Sequence, residues 1–216
     1  LGFTHEEQFD LLYKYQLMQT VIDYDYAEKL NRYHKKLHVH IGIDTGMHRL
    51  GERSENIELL CKIYEMKNLV VDGLFTHLCT ADTDQQQDQE FTRFQARAFY
   101  DVIDALKERG YPCPKLHLLS SYGVVNYPEF AEDYARVGIA LYGLLSTKED
   151  TLKWKEVLTP VLSLKVRVAT VKNLYAGESA GYGLQFTANR DMKIATLAIG
   201  YADGLPRALS NGVGKV

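Results

Sequence analysis

The chain has 216 residues, of which 46% are hydrophobic and 25% are charged, and its net charge is −3. This composition is typical of a globular protein and excludes a disordered chain. The absence of a basic block argues against a nucleic-acid-binding surface. No apolar run is long enough to cross a bilayer and no secretory signal opens the sequence, so we expect no membrane contact by this part of the protein.

The three cysteines, Cys61, Cys79 and Cys113, are widely spaced and odd in number. This pattern predicts free thiols in a reducing compartment rather than a disulfide framework, and therefore a cytoplasmic location. Neither a Cys-x-x-Cys nor a His-Glu-x-x-His pattern occurs, so we predict no metal site.

In the first part of the chain, short apolar segments alternate with longer amphipathic ones. The alternation from Leu37 to Ile43 predicts a strand that enters a turn at Asp44. The other predicted strands are 19–22, 69–77, 115–119 and 137–142, and the predicted helices are 26–36, 55–66 and 88–109. In the last helix, three- and four-residue spacing predicts an apolar face made of Phe91, Phe94, Ala98, Val102 and Leu106. This alternation indicates parallel β/α units, either in a barrel or in an open sheet.

The pattern changes after Pro160. Residues 161–171 and 193–199 form β-rich runs with no helix after the first, which predicts antiparallel structure. We therefore predict a cofactor-binding domain over residues 1–150 and a β-rich domain over 151–216. A barrel has about eight strand–helix units in about 250 residues. Only about five precede residue 150, so we expect an internal fragment that lacks the first barrel strands and most of the β domain.

Three motifs carry most of the functional information. The run Asp44-Thr45-Gly46-Met47-His48-Arg49-Leu50-Gly51 places an arginine on a glycine-punctuated turn, where it can grip a carboxylate or a cofactor oxygen. Tyr182 stands between two glycines, and Tyr201 opens a Tyr-Ala-Asp-Gly run. A phenol on so open a backbone can be aimed at a ligand and serve as a proton donor or acceptor.

Further polar residues lie at predicted strand ends, where barrel enzymes build their sites. Taken alone, Arg136 is best interpreted as a surface ion pair, and His77 as an ordinary hydrogen-bonded histidine. The pair Ser120-Ser121 is equally compatible with a helix cap and with a phosphate-binding turn. Asp203 is interpreted as a turn-bracing residue without chemistry.

Together and in this order, these motifs resemble the alanine racemase family, pyridoxal-phosphate enzymes that invert the α-carbon of small amino acids. The resemblance implies an α/β fold, a TIM-type (β/α)8 barrel followed by a C-terminal β domain, and a homodimer. The sequence from His38 to Arg49 is most similar to that of the serine/alanine racemases of vancomycin resistance, which are membrane proteins with a cytoplasmic racemase-like portion. The implied substrate is alanine or serine, and the implied product is a D-amino acid for cell-wall peptide.

The resemblance also implies residue roles. Arg136 corresponds to the arginine that hydrogen-bonds the pyridine nitrogen of the cofactor and keeps it unprotonated. His77 links that arginine to the catalytic Tyr182, which serves one face of the substrate across the dimer interface while a lysine serves the other. Arg49 contacts the cofactor phenolic oxygen and the substrate carboxylate, and Tyr201 lines the substrate entry.

The phosphate of the cofactor is expected at Ser121, with Gly138 and Ile139 as backbone donors. Ser120 replaces the asparagine of the family pattern, and we count it among the cofactor-binding candidates. Gly42 stands where the family usually has a lysine, often carbamylated, that braces the counterpart of Arg49. Some other anion or side chain is therefore expected to orient Arg49.

The lysine that binds the cofactor covalently belongs to a Lys-x-x-x-Tyr-Gly segment, and this chain does not contain that segment. We therefore assign catalysis to the intact protein. Two alternatives remain at this stage. One is a pyridoxal-phosphate decarboxylase on a related barrel, although its phosphate-binding glycine run is absent. The other is a non-catalytic cofactor-binding or regulatory domain.

Overall fold

A computed structural model describes residues 1–210 and 212–214. The chain divides into two compact units, Leu1–Val161 and Leu162–Val216, and each is described by itself. The division lies later than the predicted boundary at residue 150. The segment before it packs into the first unit, because Val161 N–H donates to the carbonyl of Tyr142 and Thr159 lies directly against Gly143.

The first unit alternates helices and strands, as the sequence pattern predicts. Its elements are α1 (Phe9–Lys14), β1 (Gln19–Val21), α2 (Tyr24–Arg32), β2 (Leu37–Asp44), β3 (Glu52–Arg53), α3 (Ile57–Tyr64), β4 (Leu69–Phe75), α4 (Gln86–Glu108), β5 (Lys115–His117), α5 (Ser121–Asn126) and α6 (Lys148–Lys153). The strands form one parallel sheet in the order β1-β2-β4-β5, with β3 paired to β2. Parallel strands need long crossovers, which the helices provide.

The core of this unit lies between the sheet and its helices. The side chains of Leu37, Val39, Ile41 and Ile43 on β2 are all buried, which confirms the predicted alternation. The predicted apolar face of α4 is partly wrong, because Phe94 is exposed. The buried residues of α4 are Thr92, Gln95, Ala96, Phe99, Val102, Ile103 and Leu106. The predicted and the observed buried faces have the same helical spacing, but they are rotated relative to each other about the helix axis. Contact with the sheet decides which face is buried.

The predicted strand over residues 137–142 is also wrong. Residues Ile139–Tyr142 form a 3-10 turn that ends at Gly143, whose φ of 72° is left-handed. The strand-like segment comes earlier: Arg136 N–H donates to the carbonyl of Leu119, and Arg136 forms a parallel bridge with Ser120. Apolar alternation alone does not distinguish a strand from a short turn, whereas pairing with the residues after β5 does.

The second unit contains β6 (Val168–Leu174), β7 (Ser179–Ala180), β8 (Phe186–Thr187) and β9 (Met192–Leu197). Strands β6 and β9 pair antiparallel, as do β7 and β8, which confirms the predicted antiparallel character. The first strand begins at Val168 rather than near residue 161. Within the described residues, no helix has both the length and the apolarity needed to cross a membrane.

Candidate functional site

A cavity of about 630 Å3 lies in the first unit, lined by side chains of β1, β2, β4 and β5 and of the loops that follow them. Three of the predicted site residues, Arg49, His77 and Arg136, line it together. They come from three separate loops of the chain. Parallel strands end at one edge of a sheet, so the residues that follow them converge there.

Arg136 is the centre of this site. One terminal nitrogen, Nη1, donates to the Nδ1 atom and to the carbonyl (3.1 Å) of His117. The other, Nη2, donates to the carbonyl of Thr76 (2.6 Å) and to Nδ1 of His77 (3.2 Å). The guanidinium also lies over the ring of Phe75, 5.0 Å from its centroid. Arg136 is therefore a partly buried cation held by four hydrogen bonds, and the surface ion pair suggested by the sequence alone is wrong.

Burial lowers the pKa of Arg136 to about 10, which leaves the guanidinium charged at neutral pH. Its two terminal nitrogens carry four N–H groups, and all four have acceptors. The Nε–H group is the remaining donor, and no described residue accepts a hydrogen bond from it. The fifth donor of a fixed guanidinium beside an open cavity is therefore available to a ligand.

Arg136 also sets the protonation of two histidines. A guanidinium can only donate, so Nδ1 of both His77 and His117 must accept, and each ring carries its proton on Nε2. His117 Nε2 then donates to Nδ1 of His40 at 2.8 Å. Burial, followed by the positive charge of Arg136, lowers the pKa of His117 to about 3. Burial and the same charge also lower the pKa of His77, so both rings are neutral near pH 7.

His40 occupies its place because β4 has a glycine opposite it. A Cβ atom at Gly73 would lie 2.3 Å from Nδ1 of His40, closer than any tolerated contact. The pairing of β2 with β4 shifts register between Val39 and His40, which brings the ring over this glycine. The backbone of β4 therefore makes room for the histidine that supports His117.

A second group of donors converges next to Arg136. The hydroxyl of Ser121 accepts hydrogen bonds from the backbone N–H groups of Gly138 (2.9 Å) and Ala140 (3.3 Å). Ala140 is thus a second backbone donor to Ser121, which the sequence did not indicate, and the roles of Gly138 and Ile139 as phosphate donors stay predictions. Ser120 is the residue before α5, and its side chain makes no capping hydrogen bond.

These residues fit the cofactor that the sequence resemblance implies. A serine hydroxyl and the N–H groups of a turn are the kinds of donor that bind a phosphate, and here they converge at Ser121. A Cβ at Gly138 would point toward the Ser121 hydroxyl, 3.9 Å away. The free Nε–H of Arg136 suits the lone pair of an unprotonated pyridine nitrogen. These are the two ends by which pyridoxal phosphate can be held without a covalent bond.

The loop that carries Arg49 is folded by Asp44. This carboxylate accepts from the N–H groups of Gly46 (3.1 Å) and His48 (2.9 Å) and from Nδ1 of His48 (2.8 Å). Burial alone would raise the pKa of Asp44, but these hydrogen bonds together hold it below its usual value. Arg49 itself is exposed at the cavity, and no described residue forms an ion pair with it.

Gly42 is closely packed. A Cβ atom at this position would lie 3.3 Å from Gly51 Cα, from the edge of the Phe75 ring and from the carbonyl oxygen of Val21. The backbone returning at Gly51 therefore fills the space beside Gly42. Backbone atoms and the Asp44 turn therefore shape this loop, and the expectation that another anion or side chain orients Arg49 stays a prediction.

Tyr182 and Tyr201 belong to the second unit. The side chain of Tyr182 is fully exposed and that of Tyr201 is 67% exposed. Gly181 and Gly183 have φ values of 83° and 69°, a left-handed conformation that explains the glycine on either side of this tyrosine. The catalytic role of Tyr182 and the substrate-entry role of Tyr201 stay predictions.

Two residues of the site escaped the sequence analysis. His117 lies within the predicted strand 115–119, where its polarity among leucines was the available signal. Gln95 is fully buried on α4 and contacts the loops after β2 and β4. The signal for Gln95 would have been a polar residue on the buried face of a helix. The apolar face predicted for α4 was rotated relative to the observed one and did not include Gln95.

Comparison with known families gives a match along almost the whole chain. Residues 1–146 match the alanine racemase N-terminal domain, and residues 161–216 match the alanine racemase C-terminal domain. The sequence resemblance is therefore confirmed, and with it the partial barrel followed by a C-terminal domain. Members of this family depend on pyridoxal phosphate.

Similar curated proteins are racemases, which are isomerases. The chain is 41% identical to an amino-acid racemase of Enterococcus faecalis and 36% identical to a serine/alanine racemase of Enterococcus gallinarum. In both cases the match covers 98% of this chain and 30% of the relative. An alanine racemase of Clostridium tetani is 34% identical over the whole chain and 56% of its own length. The chain thus spans between 30% and 56% of the length of these proteins.

Solved structures agree with this assignment. The alanine racemase of Clostridium difficile 630 superposes with a TM-score of 0.79 at 31% identity, covering 98% of this chain and 56% of that one. The alanine racemase of Bacillus anthracis with bound L-Ala-P gives a TM-score of 0.74 at 27% identity, covering 94% and 53%. The described fold is therefore that of a racemase barrel in part, with part of the domain that follows it.

Proposed function

Because the chain belongs to the alanine racemase family, we propose that the intact protein is a pyridoxal-phosphate-dependent racemase. Its substrates are small amino acids, alanine, serine or both. The observation that carries this proposal is the arrangement around Arg136. A partly buried cation with one donor left for a ligand lies beside a neutral histidine in a cavity that also contains Arg49.

The bound cofactor would supply the electron withdrawal that makes the α-proton of an amino acid removable. In this proposal Arg136 Nε–H would donate to the ring nitrogen. Ser121, with Ser120 beside it and the backbone N–H groups of Gly138 and Ile139, would hold the phosphate. Arg136 has a pKa of about 10 and remains protonated in the working pH range, so it does not give its proton to the ring nitrogen. Withdrawal by the ring is thereby limited, which favours racemisation over transamination.

Proton transfer on one face is assigned to Tyr182. The Nδ1 atom of His77 accepts from Arg136, so its Nε2–H group is the donor left for a phenolate oxygen. A neutral donor and a nearby fixed cation both favour the phenolate, the form able to take a proton. We propose that Tyr182 reaches the site of the other subunit in a homodimer, and that a lysine outside the residues of this chain serves the opposite face.

Arg49 is assigned to the substrate carboxylate and the phenolic oxygen of the cofactor, and Tyr201 to the substrate entry. Arg49 lines the cavity without an ion-pair partner among the described residues, as a residue awaiting an anion would. We further propose a cytoplasmic location, as the racemase portion of a membrane-anchored protein of the vancomycin-resistance type, and a role in supplying D-amino acids for cell-wall peptide. The match to a serine/alanine racemase supports this proposal.

The proposal is tested on the intact protein loaded with pyridoxal phosphate in deuterated water. L-Alanine and L-serine should each be assayed for the D-enantiomer by chiral chromatography and for deuterium at the α-carbon by mass spectrometry. We expect both signals with at least one substrate. Release of carbon dioxide without a D-product would instead favour the decarboxylase alternative. Cofactor binding without α-deuteration would favour the non-catalytic one. Nothing in the relatives described above supports either alternative.

A further inference from the structure

We propose that Gln95 is a positioning residue, which holds the His77 segment in register with Arg136 and with the loop that carries Arg49. This inference rests on the proposed function for its catalytic consequence, but its structural part stands independently. Gln95 lies on α4 and is not among the residues that line the cavity, so it is not placed to contact the cofactor or the substrate. Its influence on chemistry must therefore pass through the backbone it contacts.

Gln95 is completely buried, and both ends of its amide are engaged. Its Oε1 accepts from the backbone N–H of Cys79 at 3.0 Å. Its Nε2 donates to the carbonyl of His77 at 3.1 Å and, more weakly, to the hydroxyl of Thr45 at 3.4 Å. One side chain thus joins the segment after β4 to the first residue of the loop after β2.

These contacts require the polarity of an amide. The His77 carbonyl needs a donor and the Cys79 N–H needs an acceptor, and glutamine supplies both on one planar group. A carboxylate would place an oxygen against the His77 carbonyl, and an aliphatic side chain would leave two buried backbone groups unpaired. The buried position among apolar neighbours is therefore explained by the two loops it serves.

The Thr76–His77 segment is held from two sides. On the cavity side, Arg136 donates to the carbonyl of Thr76 and to the ring of His77. On the helix side, Gln95 donates to the carbonyl of His77, and the hydroxyl of Thr45 bonds that of Thr76 at 2.7 Å. Removing the helix-side hydrogen bonds releases the backbone of His77, while Arg136 keeps its hydrogen bonds to Thr76 and to the His77 ring. The expected result is a displaced ring.

Neighbouring residues of α4 also contact the segments after β2 and β4. The hydroxyl of Thr92 bonds that of Thr80 at 2.9 Å, so the same segment after β4 is held a second time. Phe91 packs on Gly46, where a Cβ would lie 2.8 Å from the ring. The first half of α4 therefore contacts both functional loops, and Gln95 is the residue that hydrogen-bonds to both.

The test compares Gln95→Met with two control variants in the intact protein. Gln87→Met makes the same chemical change at an exposed position of the same helix. Val102→Ala removes buried volume from α4 and thus provides a loss of stability away from both loops. Thr45→Val, which removes only the hydroxyl, serves as a second test variant if Gln95→Met does not fold.

Two measurements are made on each variant. The first is 15N NMR of protein labelled at histidine, which reports the ring tautomer and does not require activity. The His77 signals are assigned as those that disappear in the His77→Gln variant. The second is the pH dependence of kcat and KM for racemisation. For Gln95→Met we expect a changed His77 signal, a shifted pH profile and kcat reduced about ten- to a hundred-fold, with a smaller change in KM. Thr45→Val should move the same quantities less.

A Gln95→Met protein that loses only thermal stability, like Val102→Ala, and keeps the His77 signal and the pH profile of the parent would overturn the proposal. So would an equal effect of Gln87→Met. If the parent protein shows no racemisation, the proposed function fails, yet the NMR comparison still decides whether Gln95 positions His77.

Discussion

The two units of this chain present their candidate residues in opposite ways. In the first, Arg136 and His77 are largely buried, and the cation and its two histidines are connected by hydrogen bonds. In the second, Tyr182 and Tyr201 project from short turns, and the first is fully exposed and the second 67% exposed. The first region is organised by its own packing, whereas the second exposes two side chains for which its described residues supply no hydrogen-bond partner.

This difference teaches where preorganisation comes from. A guanidinium is costly to bury unless most of its donors are satisfied, so the fold of the first unit must supply the four acceptors around Arg136. An exposed phenol imposes no such requirement on its surroundings. Changes in the first unit should therefore alter stability and chemistry together, whereas changes at Tyr182 should alter chemistry alone.

The largest effect is expected for Tyr182→Phe. Removing a positioned acid–base group typically costs about a hundred- to ten-thousand-fold in rate. We expect turnover of the L-enantiomer to fall by this amount while cofactor absorbance stays unchanged. Thermal stability should change little, because the tyrosine is fully exposed within its own unit. Tyr175→Phe, at an exposed tyrosine of the same unit, is the matched control. L-to-D turnover within a few fold of the parent would remove Tyr182 from the mechanism.

Arg136→Glu should combine both kinds of effect. A glutamate would place oxygens against the carbonyls of Thr76 and His117, so the thermal midpoint should fall. With substrate, the cofactor ring nitrogen should become protonated, producing a new long-wavelength absorbance band and more transamination relative to racemisation. Arg97→Glu makes the same charge change at an exposed position. A parent-like spectrum and product ratio in the Arg136 variant would show that this arginine is only structural.

His117 predicts a pH dependence of stability. The folded-state pKa of about 3 lies below the usual value of about 6.5, so the unfolded state binds more protons between them. Stability from this group is complete above about pH 6.5 and is lost as the pH falls toward 3. The pKa of His77 is lowered in the same direction. His117→Gln should therefore flatten the acid limb, by up to about 1.4 kcal/mol per pH unit.

The measurement for His117 is the thermal midpoint of the parent and variant between pH 4 and pH 8, with exposed His34→Gln as the control. An unchanged acid limb in His117→Gln would mean that the buried histidines do not govern the acid sensitivity of the first unit.

The smallest effect concerns Gly42. Without an amine to carbamylate at this position, the KM of the parent should not depend on bicarbonate. Gly42→Lys should displace Arg49 unless the lysine is carbamylated, so its KM should vary with bicarbonate. Because a Cβ already meets backbone atoms at 3.3 Å, Gly42→Ala is needed to separate crowding from carbamylation.

Bicarbonate dependence in the parent would point to another lysine. Lys36, the lysine just before β2, is poorly placed for this role, because its ammonium donates to the carbonyl of Lys67 at 2.6 Å. It also precedes β2, whereas Arg49 follows that strand, so the two residues stand at opposite ends. Such a result would require a lysine from elsewhere in the intact protein.

The sequence by itself determined the alternation of strands and helices in the first unit and the antiparallel strands of the second. It also contained the motifs by which the family is recognised. These features are local: apolar periodicity reports which face of an element is buried, and a glycine beside Tyr182 reports a left-handed backbone. Arg49 was a candidate from its turn motif, whereas His77 and Arg136 became candidates only through the family resemblance.

Only the tertiary structure decided the phase of α4, the turn at Ile139–Tyr142, the protonation pattern of the histidines and the role of Gln95. Each depends on residues distant in sequence. Arg136 fixes the tautomers of His77 and His117 because it can only donate hydrogen bonds, and Gln95 is polar in a buried position because two loops from other strands end beside it. Periodicity along one segment carries no information about which groups a fold will bring together.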